Sequence, residues 1–459
     1  MNRSFFRKAI HRLISIPPTK LMVLSFAVLI MIGTFLLIMP FSSKSGEWTP
    51  FINAFLTATS ASCITGLTVY DTFTHWSIIG QLIILALVQV GALGIVTLAT
   101  FFSLILRKKI GLKGMLLAQE SINYFSFSEV LRLIRKVVTA TLIIELLGTE
   151  ILSFSFVPRY GAIGLYLSIF YSISAFSNAG FDLTSAVVNG EYLSLTPFNN
   201  DPIIIYTISG LIIAGGLGFS VWRDIWHFKK NKQLIFHTKL VLAITGVLII
   251  SGTVFIFATE YSNTKTLGPM SLFEKLNAAF FQSAAARSAG FNSINLTEMN
   301  EISKVFMIFL MFIGAAPGST GGGIKVTTFG VLIMAVFSQV KDSGDIVLFK
   351  RKIHQFTVNK ALSIAGLSGI IVMVITTAIV LLPSNLNVLD ALYETTSAFG
   401  TVGLTLGVTP SLDTVSKILI ILTMFLGRVG PLSFAVALTL KSSKRNADVV
   451  YPEAKILVG

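Results

Sequence analysis

Four short stretches of this chain each carry one glycine followed by a bulky apolar residue. They read T-A-T-S-A-S-C-I-T-G-L-T at 57–68, S-I-S-A-F-S-N-A-G-F-D-L at 172–183, Q-S-A-A-A-R-S-A-G-F-N at 282–292 and T-T-S-A-F-G-T-V-G-L-T at 395–405. The four residues ending on each glycine are Cys63-Ile64-Thr65-Gly66, Ser177-Asn178-Ala179-Gly180, Arg287-Ser288-Ala289-Gly290 and Gly400-Thr401-Val402-Gly403, and none is a carboxylate. What they offer is backbone carbonyl oxygen, the ligand that replaces the water shell of a dehydrated cation. A glycine in each turn can take φ > 0 without strain, so neighbouring carbonyls can face a common axis. The glycines are 114, 110 and 113 residues apart. Glycine also ends ordinary helices, which explains one such turn. Four at one period indicate an internal repeat.

A second feature is G-A-A-P-G-S-T-G-G-G-I-K at 314–325, made of Gly314, Ala315, Ala316, Pro317, Gly318, Ser319, Thr320, Gly321, Gly322, Gly323, Ile324 and Lys325. It lies inside an apolar run, and its glycines and proline make an unbroken helix untenable. A backbone loop at that depth, just below a glycine turn, can plug a permeation path. It is not a phosphate-binding loop, because the Gly-Lys-Ser/Thr ending and the preceding strand are missing. Shorter versions, Gly91-x-x-Gly94, Gly215-x-x-Gly218 and Gly427-x-x-Gly430, stand at equivalent places. Within the last of these, Arg428 sits near a helix centre, where an arginine costs about 2.5–3.5 kcal/mol unless partnered. The carbonyls of 314–323 are its expected partners. Arg287 is expected to turn away from the axis toward Glu274 or another acid, and Glu394 to satisfy backbone donors behind its turn. Glu145 and Glu150, five residues apart, do not share a helix face.

These parts need a membrane scaffold. The 459 residues are 53% hydrophobic and only 12% charged, about half the charge of a soluble chain. Apolar helices are expected at 21–39, 137–156, 240–258 and 361–382. Partner helices are expected at 78–106, 203–226, 305–337 and 418–440, each long enough for a hydrocarbon core of roughly 30 Å. Segments of about a dozen residues between them, such as 51–62 and 389–399, are too short to span, and read as re-entrant half-helices buried by protein. Of the 35 Lys and Arg, 26 fall in the arm 1–20, the links 107–136, 223–239 and 341–360, and the tail 441–459, which makes that side cytoplasmic. Both termini then lie inside, and a net charge of +14 reflects topology, not nucleic acid. The basic run before residue 21 is no cleaved leader, since the apolar stretch is too long and lacks a small-residue cleavage site. A lone Cys63 excludes an intramolecular disulfide or a cysteine metal cluster, and no His/Asp/Glu cluster suggests an enzyme.

The fold so read is an all-α polytopic membrane protein. Its eight spans form four parallel helix–pore-loop–helix repeats with pseudo-fourfold symmetry around one pore. The repeats are 21–106, 137–226, 240–337 with a broken second helix, and 361–440. Cytoplasmic links occupy 107–136, 227–239 and 338–360, with the basic arm at 1–20 and the tail at 441–459.

This plan, one glycine per loop and the broken helix of repeat three resemble the Trk/Ktr/HKT superfamily of potassium transporters over essentially the whole chain. Thr401-Val402-Gly403 also resembles the start of a potassium-channel filter. Eight spans with no additional N-terminal pair are most similar to the Ktr membrane subunit. The resemblance implies potassium at the carbonyls of Gly66, Gly180, Gly290 and Gly403, an intramembrane gate at 314–323, and Arg428 contacting it. It implies a homodimer in the cell membrane, one pore per protomer, on a cytoplasmic nucleotide-binding regulatory ring of the KtrA/KtrC kind. The expected activity is gated potassium uptake, without a covalent cofactor and with possible sodium dependence. The alternative is a potassium symporter driven by sodium or protons.

Overall fold

A computed structural model describes residues 18–94, 130–188, 194–341, 346–349, 351–382, 386–431 and 433–434. The first 17 residues, most of the link 107–136, the end of the expected helix 78–106 and the tail 441–459 lie outside the described residues. The rest is almost wholly helical. In chain order the longer helices are α1 Pro18–Ile38, α2 Phe51–Ser62, α3 Ile78–Leu93, α4 Val130–Phe176, α5 Pro202–Gly216, α6 Phe219–Asn231 and α7 Phe236–Glu260. They continue with α8 Leu272–Ala285, α9 Glu301–Phe312, α10 Val326–Val340, α11 Gln355–Leu381, α12 Val388–Gly400 and α13 Thr414–Val429. A two-residue antiparallel pairing, Val347–Leu348 with Arg351–Lys352, precedes α11.

Among the described residues, four helices are long and apolar enough to cross a membrane: α1, the long α4, α7 and α11, or five if the bent pair α5 and α6 is one span. Their outward faces carry large apolar side chains such as Phe35, Leu146, Ile250 and Ile370, each more than 60% exposed, a surface suited to lipid. The half-helix α2 matches its expected bounds, and α12 exceeds them by one residue at each end. In the second unit the outer helix and half-helix run together as α4, interrupted at Gly161 with φ 58 and ψ −131. That glycine follows Pro158, which weakens the ladder there.

The break expected in the third partner helix is present, but the other three, expected to be continuous, are corrected: each is interrupted at its glycine pair. The helix α3 stops at Leu93 with Gly94 at φ 79, α5 turns through 101° at Gly218 with φ 88, and α13 stops at Val429 with Gly430 at φ 90. In the third unit, residues 313–325 are non-helical between α9 and α10. Left-handed backbone cannot continue a right-handed helix, so one glycine at positive φ is enough to end it.

The half-helices pack in a closed cycle. The first, α2, packs on α13, the second on α3, the third (α8) on α5, and the fourth (α12) on α9. Their buried faces are rich in Ala, Ser and Thr; Ala58, Ser60, Ala61, Ser283, Ala284, Thr396, Ser397 and Ala398 are at most 1% exposed. Small side chains let backbones approach closely, as membrane helix interfaces require. The cycle brings the ends of the half-helices, and the glycine turns that follow them, to the centre of the molecule.

Candidate functional site

The four glycines meet. A Cβ built on Gly66 would stand 2.7 Å from the Ala179 carbonyl, one on Gly180 2.9 Å from the Ala289 carbonyl, one on Gly290 2.8 Å from the Val402 carbonyl, and one on Gly403 1.9 Å from the Thr65 carbonyl. Each glycine therefore abuts the residue just before the next unit's glycine, and the fourth closes on the first. The ring forms only because all four positions lack a side chain.

Two residues per turn are left-handed. The glycines have φ of 92, 71, 74 and 90, and the residues two before them, Ile64, Asn178, Ser288 and Thr401, have φ of 53, 59, 74 and 48. A non-glycine at positive φ costs of order 1–3 kcal/mol and persists only where its surroundings enforce it. Extended backbone sends successive groups to opposite sides, and a left-handed residue at every second position interrupts that alternation. The apolar residues after the glycines, Leu67, Phe181, Phe291 and Leu404, are buried in protein and wedge the turns from outside.

Serines, missed in the sequence, anchor three of the turns. Six residues before each glycine stand Ser60, Ser174, Ala284 and Ser397. Ser60 Oγ accepts from Gly66 N–H at 3.0 Å, Ser397 Oγ accepts from Gly403 N–H at 3.1 Å, and Ser174 Oγ donates to the Phe181 carbonyl at 2.7 Å. Aligning the four stretches on their glycines exposes this serine column.

Directly beside the ring lies the insert 313–325, fastened on several sides. Gly314 N–H donates to the Ile324 carbonyl at 2.8 Å and Val326 N–H to the Ala315 carbonyl at 3.3 Å, closing its neck. Ala316 N–H reaches the Gly216 carbonyl at 2.9 Å, Thr320 N–H the Gly215 carbonyl at 3.2 Å, and the Gly318 carbonyl accepts from Phe219 N–H at 2.9 Å. Those bonds tie it to the break between α5 and α6. Pro317 turns its carbonyl to Gly218, and Ser319 Oγ closes onto the Ala316 carbonyl at 2.5 Å. Toward the ring, Gly322 N–H donates to Thr401 Oγ1 at 2.9 Å, while Gly321 and Gly323 pack on Ser288 and Gly400.

Two cations seize neighbouring carbonyls of this insert. Lys325 Nζ donates to the Gly321 carbonyl at 2.7 Å, and Arg428 Nη1 donates to the Thr320 carbonyl. Arg428 Nη2 donates to the Gly91 carbonyl at 2.5 Å, so the guanidinium bridges the insert to the end of α3. A guanidinium has five donors in a fixed fork, which suits one side chain to two carbonyl groups on separate elements.

The acids differ from expectation. Arg287 turns toward α7, where its Nη2 donates to Thr245 Oγ1 at 3.4 Å. Glu274 is not its partner, because it closes the capping box with Ser271 at the start of α8. Arg287 lies past the end of that helix, and the helix from Glu274 to Ala285 alone spans about 16 Å. Glu394 takes the Thr409 hydroxyl, not backbone N–H groups, and so joins α12 to the short 3-10 helix Thr409–Ser411 beyond its turn. Glu145 is buried and accepts from Gln89 Nε2 at 2.9 Å, while Gln89 Oε1 accepts from Ser177 Oγ at 3.5 Å. Glu150 is exposed on the helix flank.

The sequence pattern of the TrkH family, described as cation transport protein, matches residues 14–448. The chain is 37% identical to the potassium/sodium uptake protein NtpJ of Enterococcus hirae, over 99% of this chain and 100% of that one. It is 38% identical to the Ktr system potassium uptake protein B of Bacillus subtilis, covering 96% and 97% of the two chains. The Vibrio alginolyticus protein of the same name is 39% identical, covering 96% and 94%. Among solved structures, the potassium transporter TrkH from Vibrio parahaemolyticus superposes with a TM-score of 0.69 at 18% identity, covering 91% of this chain and 84% of that one. By a family match across nearly its whole length, the chain belongs to the TrkH family of cation transport proteins.

Proposed function

We propose that this protein takes up potassium across the cell membrane through a selective, gated pore, as the ion-conducting subunit of a regulated uptake system. The observation that carries the reading is the closed ring in which each glycine abuts the carbonyl-bearing residue before the next. In this reading the carbonyls of Gly66, Gly180, Gly290 and Gly403 bind dehydrated potassium, and the residues 63–65, 177–179, 287–289 and 400–402 complete the filter. The half-helices direct their negative ends at the ion. The insert, with Lys325 and Arg428, is the gate, since it lies against the ring and is fastened by bonds that can be exchanged.

The same reading takes the four units as parallel repeats with pseudo-fourfold symmetry and eight membrane crossings, the broken inner helices counted as spans. It places both termini in the cytoplasm, where the Lys and Arg concentrate. Relatives named as Ktr system potassium uptake protein B support a multi-subunit system, and we extend this to a homodimer seated on a cytoplasmic nucleotide-binding ring. A coupled symporter is the second reading, favoured by the polar chain from buried Glu145 through Gln89 to Ser177. A relative named for potassium and sodium makes sodium dependence part of the same question.

The test is ion flux into proteoliposomes with potassium, sodium and proton gradients set independently. Potassium is expected to run down its own gradient whatever the sodium or proton gradient, and Gly403→Ser to lower potassium-over-sodium selectivity at least tenfold. Uphill potassium movement driven by another ion would replace the pore with a symporter. Unchanged selectivity in both Gly403→Ser and Gly290→Ser would remove the filter assignment.

A further inference from the structure

The helix α6 leaves α5 at 101°, nearly a right angle, so α6 does not continue the course of α5. Its first turn is fixed from inside. Phe219 N–H donates to the Gly318 carbonyl at 2.9 Å, and Trp222 Nε1 donates to the Ala214 carbonyl at 2.9 Å. Beyond that turn the helix shows large apolar side chains to its surroundings: Ile225 is 38% exposed, Phe228 46% and Trp226 81%. An indole so open suits the headgroup level, where its ring meets lipid and its N–H meets water.

Charge adds a sign. The sequence sets Arg223, Lys229 and Lys230 on α6 and Lys232 at its end, against the single acid Asp224. That acid is buried and occupied, since its Oδ2 accepts from Ile235 N–H at 2.8 Å. The element thus combines exposed aromatics with a surplus of cations, the composition of helices that lie in a membrane surface and attract anionic lipid.

We propose that α6 lies in the membrane interface and binds the headgroups of anionic phospholipids. Because Phe219 is bonded to Gly318, the bound lipid also steadies the insert; this second part rests on reading the insert as a gate.

The experiment uses the full-length protein in vesicles of fixed phosphatidylglycerol and phosphatidylcholine content, with acyl-chain bromine carried on one lipid or the other. Quenching of Trp226 emission is the difference between the parent and Trp226→Phe. Bromine on phosphatidylglycerol is expected to quench it at least twice as strongly as bromine on phosphatidylcholine. The triple variant Lys229→Gln, Lys230→Gln, Lys232→Gln is expected to lose that excess. Equal quenching by the two lipids overturns the headgroup preference. No quenching by either means that α6 faces water or a protein partner, and overturns the proposal entirely. Potassium flux in the same vesicles tests the link to the insert, and is expected to be at least twofold faster in the triple variant than in the parent. Equal flux with the quenching excess lost overturns the link and leaves the lipid site standing. Comparing variants within one vesicle composition cancels the membrane's own surface potential.

Discussion

The third and fourth units contain the same parts and fasten them differently. In the fourth, α13 presses against α12 so closely that a Cβ on Gly427 would lie 1.9 Å from the Phe399 carbonyl. Ser397 then ties Gly403 to the half-helix of its own unit. In the third, Ala284 stands where that serine would be. Gly314 faces the insert, 2.0 Å from the Gly322 carbonyl to a Cβ built on it. What the third turn lacks inside its unit it finds outside, since Ser288 Oγ donates to the Gly400 carbonyl at 2.9 Å. Gly322 N–H in turn takes Thr401 Oγ1. The fourth turn has a serine anchor within its own unit; the third has none there and leans on Gly400 of the fourth turn, whose Thr401 also meets the insert. A displacement of the insert therefore reaches the ring through Ser288 and Thr401, while the Ser397 bond keeps Gly403 on its half-helix.

The sharpest way to break this comparison is to remove the insert's core. Deleting 316–321 takes away the contacts to Gly215, Gly216, Arg428 and Ser288 while leaving the ring glycines and the serine anchors in place. Potassium flux in proteoliposomes is expected to rise at least tenfold. A correctly folded deletion with unaltered or lower flux would show that the insert only packs the helices.

Much of this arrangement is legible in the sequence because it rests on local rules. The glycine turns and their period, and the half-helix 51–62, follow from small residues, length and hydropathy. The breaks in α3, α5 and α13 are not legible in the same way. Gly94, Gly218 and Gly430 sit among apolar residues, and hydropathy does not register a single left-handed residue. The partners of Arg287 and Glu394 are also hidden, because a buried charge is met by whatever the tertiary fold brings near. For Arg287 that is Thr245, 42 residues away. Arg428 is more readable, since a cation within an apolar helix beside a glycine-rich break has few acceptors other than carbonyls.

A milder test exchanges the anchors. Ser397→Ala leaves Gly403 N–H buried without its acceptor, a loss of about 1–3 kcal/mol, and is expected to reduce potassium-over-sodium selectivity several-fold. Ala284→Ser is expected to change selectivity less than twofold, because the third turn is already held by Ser288. Paired flux ratios measure both, and equal losses in the two variants would erase the distinction between the units.

The smallest effect lies where the inner helices begin. Asp413 caps α13, its carboxylate accepting from Val415 N–H at 3.0 Å and Ser416 N–H at 3.4 Å. Asn300, at the same place before α9, caps with no side chain and instead gives its backbone N–H to Glu260. The Ser416 hydroxyl beside the carboxylate, and then these N–H groups, hold Asp413 below the usual carboxylate range. A carboxyl lowered by folding stabilises the native state above its unfolded value of about 3.9, and that contribution fades as pH falls through the folded value. Asp413→Ala is expected to cost about 1 kcal/mol at neutral pH and progressively less below about pH 4. Asn300→Ala is expected to show no such pH dependence. Thermal unfolding of both variants in detergent at pH 7 and pH 3 measures the contrast. A pH-independent deficit for Asp413→Ala would mean that its cap acts through packing and not through charge, and the two units would then begin their inner helices alike.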